Sequence, residues 1–132
     1  MSIVSGSCLC QQVVFQCKND FTQFHLCHCT QCQKATGSAH ASNAFTVASN
    51  ITWLKGLDLV KRYDVPNRAI ATAFCAECGS NLPFLSGAFL IVPVGCLDNA
   101  PNIEVQDNIF CDEKAPWYDK AQQAQQFSTF PK

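Results

Sequence analysis

The chain has 132 residues, the size of a single domain, and we expect one domain over residues 1–132. Lys and Arg number 9 against 10 Asp and Glu, and without a basic cluster the charge argues against nucleic-acid binding. No signal peptide and no apolar run of membrane-spanning length is recognisable, so we expect a cytoplasmic protein with no membrane contact. In that compartment the ten cysteines would stay reduced.

Short runs rich in Val, Ile, Phe and Thr, separated by Gly, Pro, Asn and Asp, predict many short strands. In chain order the predicted strands cover 12–16, 24–26, 40–47, 51–54, 59–63, 69–74, 89–94, 103–105 and 108–111. One helical turn is predicted in "CQKATG", ended by Gly37, and the tail segment "DKAQQAQQF" is a second short helix candidate. The fold class is therefore all-β with little helix. Because short strands bury little apolar area, such a fold commonly needs a metal staple.

Two pairs of cysteines have the spacing of metal-binding turns. "SCLC" contains Cys8 and Cys10, and "FCAEC" contains Cys75 and Cys78. Each pair can point two sulfurs at one ion, and Gly79 provides the positive φ that such a turn needs. We predict a closed, structural four-thiolate zinc site that ties the N-terminal strand to the middle of the chain. The alternative is that these thiols are small hydrophobic residues of a core.

A third group, "CHCTQC", contains Cys27, Cys29 and Cys32 within six residues. Three protein ligands plus a water or substrate are the arrangement of catalytic zinc, whereas four protein ligands close a site. An iron–sulfur cluster is the main alternative, but no fourth cysteine lies at ferredoxin spacing. We therefore predict a second zinc whose fourth position is open.

Three histidines surround this group and are alternatives for the fourth ligand. His28 lies between two ligands, so its side chain should point away from the metal face of an extended segment. His25 lies on the metal face of a straight strand, and His40 is a candidate proton carrier. The remaining thiols are expected to pack as small hydrophobic residues: Cys17, Cys96 and Cys111.

Five motifs in order resemble those of the glutathione-dependent formaldehyde-activating enzymes, a family that includes the centromere protein V relatives. They are "GSCLC", "CHCTQCQKATGSAH", "FCAECGS", "VPVGCLDN" and "IFCDEKAPWYDK", and the resemblance extends from Gly6 to about Phe127. It implies a fold of several coiled antiparallel β-sheets. It also implies two zinc ions, a structural one on Cys8, Cys10, Cys75 and Cys78 and a catalytic one on Cys27, Cys29 and Cys32.

The family's namesake activity is the condensation of formaldehyde with glutathione to S-hydroxymethylglutathione, formally the reverse of a carbon–sulfur lyase reaction. This chain departs from the family pattern at Gln11, where glycine is usual, and at Cys96 and Cys111, where threonine and valine-like residues are common. None of these positions is a predicted ligand. The resemblance therefore supports the zinc scaffold more directly than it supports one substrate.

A thiol substrate that bears carboxylates needs cations and polar donors near the open metal position. The predicted substrate-binding residues are Lys34, Thr36, Gly37, Ser38, Lys114 and Trp117. The alternative for the lysines is simple solvation, and for the tryptophan a place in the core. Our leading hypothesis is a zinc enzyme acting on a thiol–aldehyde adduct. The alternatives are a non-catalytic zinc module for a protein or small-thiol partner, and a redox or metal-buffering protein.

Overall fold

A computed structural model describes residues 2–131, so the two end residues of the predicted domain lie outside the described range. Strand residues outnumber helical ones, 39% against 18%, which confirms the all-β class. No helix in this range has the length and apolar character to cross a membrane. The strands are β1 Ile3–Ser7, β2 Val14–Lys18, β3 Gln23–Cys27, β4 Ala41–Val47, β5 Ile51–Lys55, β6 Val60–Asp64, β7 Ala71–Cys75, β8 Asn81–Leu82, β9 Phe84–Ser86, β10 Phe89–Pro93 and β11 Asp107–Ile109. The α-helices are α1 Thr30–Thr36 and α2 Tyr118–Ala121.

The strands form three small sheets. The first has the order β1-β2-β5, the second β11-β3-β4-β10-β9 and the third β6-β7-β8. Every pairing between these strands is antiparallel except that of β11 with β3, which is parallel. The chain returns to β3 by a long irregular segment after β10, which a parallel neighbour requires.

The predicted strands agree with the observed ones over most of the chain, with two kinds of difference. The sequence predictions omitted β1, β8 and β9, of which the last two have only two and three residues. The predicted strand at 103–105 is wrong, because this segment is irregular. Side-chain amides of Asn102 and Gln106, rather than a strand ladder, accept the backbone N–H groups of Phe21 and Phe24 there, at 2.9 and 3.3 Å.

Two hydrophobic clusters join the first sheet to the other two. One lies between the first and second sheets and includes Val4, Phe24 and Leu90. The other joins the first and third sheets, and its members are Cys8, Val13, Phe15, Cys75 and Leu82. Phe15 is fully buried, which stabilises the fold by about 1.5–3 kcal/mol relative to an exposed side chain. Because Cys8 and Cys75 belong to the second cluster, the predicted four-thiol site is continuous with a core.

Gly56 is required where the chain turns after β5. Its φ is +77°, and a Cβ at this position would lie 2.0 Å from the carbonyl oxygen of Gln12. We expect Gly56→Ala to lower the free energy of unfolding by about 3 kcal/mol, through strain and collision with backbone. Gly37→Ala is the matched control, because Gly37 has φ +65° but open space around its Cβ position. Urea denaturation should show a loss of only about 1 kcal/mol for the control, and equal losses would contradict the steric explanation.

Candidate metal centres and the adjoining cavity

The four cysteines of the two spaced pairs converge although 65 residues separate Cys10 from Cys75. Cys8 and Cys10 follow β1, and Cys75 and Cys78 follow the course of β7 into the next turn. The Sγ atoms all lie within 4.8 Å of one another, with 3.5 Å between Cys8 and Cys10 and 3.9 Å between Cys10 and Cys75. This group could hold a metal ion. An ion there would link the N-terminal hairpin to the third sheet, as the sequence predicted.

Backbone donors contact two of these sulfurs, and a hydroxyl contacts a third. The N–H groups of Val13 and Glu77 donate to Cys8 Sγ at 3.3 Å and to Cys75 Sγ at 3.4 Å. A contact of 3.1 Å with the Ser80 hydroxyl is the largest cause that lowers the pKa of Cys78 to about 5. Since a metal takes its sulfur ligands as thiolates, these contacts suit the group to a metal. The positive φ predicted after Cys78 is confirmed, because Gly79 has φ +78°.

The second group lies at the junction of β3 and α1. Cys27 ends β3, Cys29 is the N-cap of α1 and Cys32 lies in the first turn of that helix. Cys29 Sγ accepts the backbone N–H of Cys32 at 3.3 Å, as an N-cap side chain does. All three thiols are buried, and their sulfurs lie within 4.8 Å of one another. This group could also hold a metal ion.

The three thiols bias each other's protonation. Interaction with Cys32 is the largest cause that lowers the pKa of Cys27 to about 6, and the same interaction raises the pKa of Cys32. Without a cation these shifts favour a thiolate at Cys27 and a protonated Cys32, whereas a bound cation would favour thiolate ligands. Among the described residues, no histidine, fourth cysteine, aspartate or glutamate completes the set. The donor set therefore matches a soft metal ion with three protein ligands.

The histidines next to these thiols have other partners. His25 Nδ1 contacts Asp107, and its Nε2 lies 2.9 Å from the side-chain oxygen of Gln23. His28 is 0% exposed, and its ring is 5.2 Å from that of His40. His40 and His28 both pack edge-on against the ring of Tyr118, at 5.5 and 4.8 Å. The three rings form an aromatic cluster behind the turn that carries Cys27 and Cys29.

One side-chain hydrogen bond holds the His28 ring in the described residues. Its Nε2 lies 2.8 Å from Asn108 Oδ1, and its Nδ1 has no hydrogen-bond partner among the described residues. Asn108→Ala would leave both ring nitrogens of a fully buried histidine unpaired, so we expect a loss of about 1–3 kcal/mol in the free energy of unfolding. Urea denaturation with Asn99→Ala, an exposed asparagine in the preceding loop, is the control. If the two variants lose the same stability, the contact does not anchor the turn.

A cavity of about 680 Å³ opens beside the three thiols. Its floor is one face of the second sheet, where Ala41, Asn43 and Phe45 of β4 alternate with residues of the opposite face. The opposite side of the cavity is formed by β7 of the third sheet and by the loop that precedes β7. The volume is within the range of small-molecule sites. The three sulfurs thus lie at a protected but accessible position.

The structure brings only part of the predicted substrate-binding set to this cavity. Lys34 and Thr36 line it. The Thr36 hydroxyl donates to the carbonyl oxygen of Cys32 at 2.8 Å, so its proton is used in a hydrogen bond within the last turn of α1. Gly37 is the C-cap of α1, and Ser38 donates its N–H to Thr36 Oγ1 at 3.2 Å; neither residue lines the cavity.

The predicted residues of the C-terminal motif also lie outside the cavity lining. Lys114 pairs with Asp119 at 3.0 Å, which raises the pKa of the lysine. Trp117 precedes α2 and is 54% exposed, so it belongs neither to the cavity wall nor to the core. Cys111 is exposed too, and its predicted packing as a small hydrophobic residue is wrong, whereas Cys17 is buried as predicted.

Sequence reasoning missed several cavity residues, including Arg68, Asn43 and Phe45. The composition of residues 40–47 predicted the strand, and pairing of Ala41 with Cys27 would have placed its alternate residues beside the thiols. That register was not available from the sequence pattern alone. Arg68 lies in the loop before β7, and no local signal marks it.

Comparison with known proteins agrees with the motifs. The family model described as "Glutathione-dependent formaldehyde-activating enzyme" matches residues 3–113. Among solved structures, a crystal structure of a Rhodobacter sphaeroides protein is similar, with a TM-score of 0.62 and 22% sequence identity. The match covers 79% of this chain and 98% of that one. Among curated proteins, none matches the chain significantly.

Proposed function

Because the chain belongs to the glutathione-dependent formaldehyde-activating enzyme family, we propose that it is a zinc-dependent enzyme of the carbon–sulfur lyase type. Its substrates would be a low-molecular-weight thiol, such as glutathione, and an aldehyde, such as formaldehyde. The observation that carries the proposal is the convergence of three buried thiols at the wall of a cavity of about 680 Å³, with no fourth ligand among residues 2–131.

The two thiol groups have different roles in this proposal. Cys8, Cys10, Cys75 and Cys78 would hold a structural zinc, because four thiolates close its coordination. Cys27, Cys29 and Cys32 would hold the second ion, which would supply a Lewis-acidic position that favours the thiolate form of the substrate. A zinc module in which both groups are purely structural is the alternative that the experiment below separates.

The chain's own residues would bind and orient the thiol and the aldehyde. Lys34 and Arg68 line the cavity and are exposed at its mouth, where they can pair with substrate carboxylates. The reaction adds S–H across the carbonyl group: the C–S bond forms, the C=O π bond breaks, and the proton goes to oxygen, without oxidation. Holding both reactants in one cavity lowers the entropic cost of this addition.

His40, the candidate proton carrier, contacts Ser42 at 3.1 Å and lies outside the cavity lining. Burial lowers its pKa, as does the neighbouring ring of His28. We propose that His40 stabilises the turn that carries Cys27 and Cys29, and that the proton reaches the carbonyl oxygen through water at the cavity mouth. Its contacts with His28 and Tyr118 support this positioning role.

Exchange spectroscopy by NMR tests the proposal, because it follows interconversion of formaldehyde and S-hydroxymethylglutathione at equilibrium. We expect the zinc-loaded protein to accelerate the exchange, and a chelator that removes the second zinc to abolish the acceleration. Cys111→Ser, which removes an exposed thiol outside both groups, should behave as the wild type. Zinc-loaded protein that leaves the exchange rate unchanged would favour the non-catalytic module.

A further inference from the structure

The cavity extends from the three thiols along strand β4, as the pairing of the strands that line it shows. Ala41 of β4 lies opposite Cys27 of β3, at the thiol end. Asn43 lies two residues further along the same face of β4, and Phe45 lies two residues beyond it. Phe45 lies opposite Ile91 of β10. Four residues of strand span about 13 Å. The floor therefore leads from the three thiols to a second end at Phe45 and Ile91.

This second end is apolar on both walls. Ala71 and Ala73 of β7 and Phe84 of β9 pack with Ile91 in one hydrophobic cluster, and Phe45 packs against that cluster. All five residues line the cavity. The small side chains of the two alanines leave the space that larger ones would fill. An apolar end lined on both sides binds apolar groups by removing their surface from water.

Two cations of the cavity lining, Lys34 and Arg68, lie toward the thiol end. Lys34 is two residues from Cys32 on α1. Glu113 accepts hydrogen bonds from Thr30 at the start of α1, and these lower the pKa of its carboxyl group most. The charge of Arg68 lowers it further, which places Arg68 near this end of the cavity. The polar part of a substrate such as glutathione finds partners at this end. At the apolar end the neighbouring charged and polar groups already have partners. The His25 ring packs against Phe45 and contacts Asp107. The Arg62 guanidinium over the Phe84 ring pairs with Asp64. Burial of a charged substrate group there would therefore cost free energy.

One-carbon formaldehyde does not use the apolar end, because it adds a single carbon at the sulfur. At about 30 Å³ per water, a cavity of about 680 Å³ has the volume of about twenty waters. We infer that the preferred adduct carries an extended apolar group, the alkyl or aryl part of a larger aldehyde, which lies along β4 toward Phe45 and Ile91. This inference rests on the proposed function and specifies its aldehyde. The chemistry is the same balanced addition, RSH + R′CHO giving RS–CH(OH)R′, with R′ in the apolar end.

Stable thioethers test the apolar end without the reaction. We would measure binding of S-methyl-, S-butyl-, S-hexyl- and S-octylglutathione to the zinc-loaded protein by isothermal titration calorimetry. Affinity should rise by about fourfold for each added methylene that becomes buried. A flat series, with S-methylglutathione bound as tightly as S-octylglutathione, would overturn the inference.

Two variants locate the effect. Ala73→Leu fills the apolar end and should remove most of the increase in affinity from S-methyl- to S-octylglutathione. Ala124→Leu, which adds the same atoms at an exposed position, should leave the gain intact. If Ala73→Leu does not fold, Phe45→Gln makes the same test, because this half-buried side chain tolerates a polar replacement more readily. If Ala73→Leu, or Phe45→Gln in its place, shows the same increase of affinity with alkyl length as the wild type, the alkyl group binds elsewhere. That result would overturn the inference.

The inference and the proposed function can fail separately. If the protein accelerates formaldehyde–glutathione exchange but the thioether series is flat, the function stands and the apolar aldehyde is rejected. If the exchange is not accelerated and octanal with glutathione gives no acceleration either, the proposed function is rejected, and with it the inference. Acceleration with octanal that exceeds the acceleration with formaldehyde is the result that we expect.

Discussion

Cys75→Ser is expected to prevent the chain from accumulating as a folded protein. Cys75 is 0% exposed and belongs both to the four-thiol group and to the core cluster between the first and third sheets. A structural zinc site contributes about 10–16 kcal/mol of apparent binding free energy, which is comparable to the whole stability of a domain, about 5–15 kcal/mol. Loss of one ligand should therefore remove most of the stability. Circular dichroism and the yield of soluble protein would measure the effect.

Cys17→Ala is the matched control, because Cys17 is also buried but belongs to neither thiol group. We expect this control to lose about 1–2 kcal/mol, as a small truncation in the core does, and to keep its full metal content. A Cys75→Ser protein that unfolds with the same free energy as the control would mean that the four thiols do not hold a structural metal.

Cys29→Ser is expected to leave the fold intact while it removes one zinc and at least about 100-fold of the activity. Serine is a favourable N-cap, so its oxygen can replace Cys29 Sγ as the acceptor of the Cys32 N–H. The substitution therefore acts on the metal site rather than on α1. Metal analysis, thermal unfolding and the exchange assay would be measured on the same preparation.

The matched control for this second prediction is Cys111→Ser, which should keep both zinc ions and full activity, since Cys111 is an exposed thiol of the turn after β11. If Cys29→Ser unfolds as readily as Cys75→Ser, the division into a structural and a working group is wrong. Full activity of Cys29→Ser would mean that the chemistry takes place elsewhere.

The division of the cysteines into two groups followed from local sequence spacing. A C-x-C or C-x-x-C turn directs its sulfurs to one side whatever the rest of the chain does, so Cys8 with Cys10 and Cys75 with Cys78 could be recognised without a fold. The helical turn after Cys29 was similarly local, because Gly37 ends it in the left-handed conformation. These are the parts of the structure that short-range geometry determines.

The cavity could not be predicted because its walls come from strands that meet only in the tertiary structure. Neither the register of β3 with β4 nor the approach of β7 to Phe45 has a local signal. The C-terminal motif also suggested Lys114 and Trp117 as substrate-binding residues, but neither lines the cavity. In the same segment, the carbonyl oxygen of Glu113 accepts a hydrogen bond from the Gln33 side chain of α1. The parallel pairing of β11 depended in the same way on a long connection.

We propose that the second zinc keeps a coordination position open for an external thiol. Cobalt substitution tests it most directly, because each thiolate bound to cobalt adds sulfur-to-metal charge-transfer absorption. We predict two cobalt ions per chain and a rise in this absorption when glutathione is added, a rise that is absent in Cys29→Ser. Two cobalt ions whose absorption does not respond to glutathione would show that both sites are closed. That result would rule out an open coordination position at Cys27, Cys29 and Cys32.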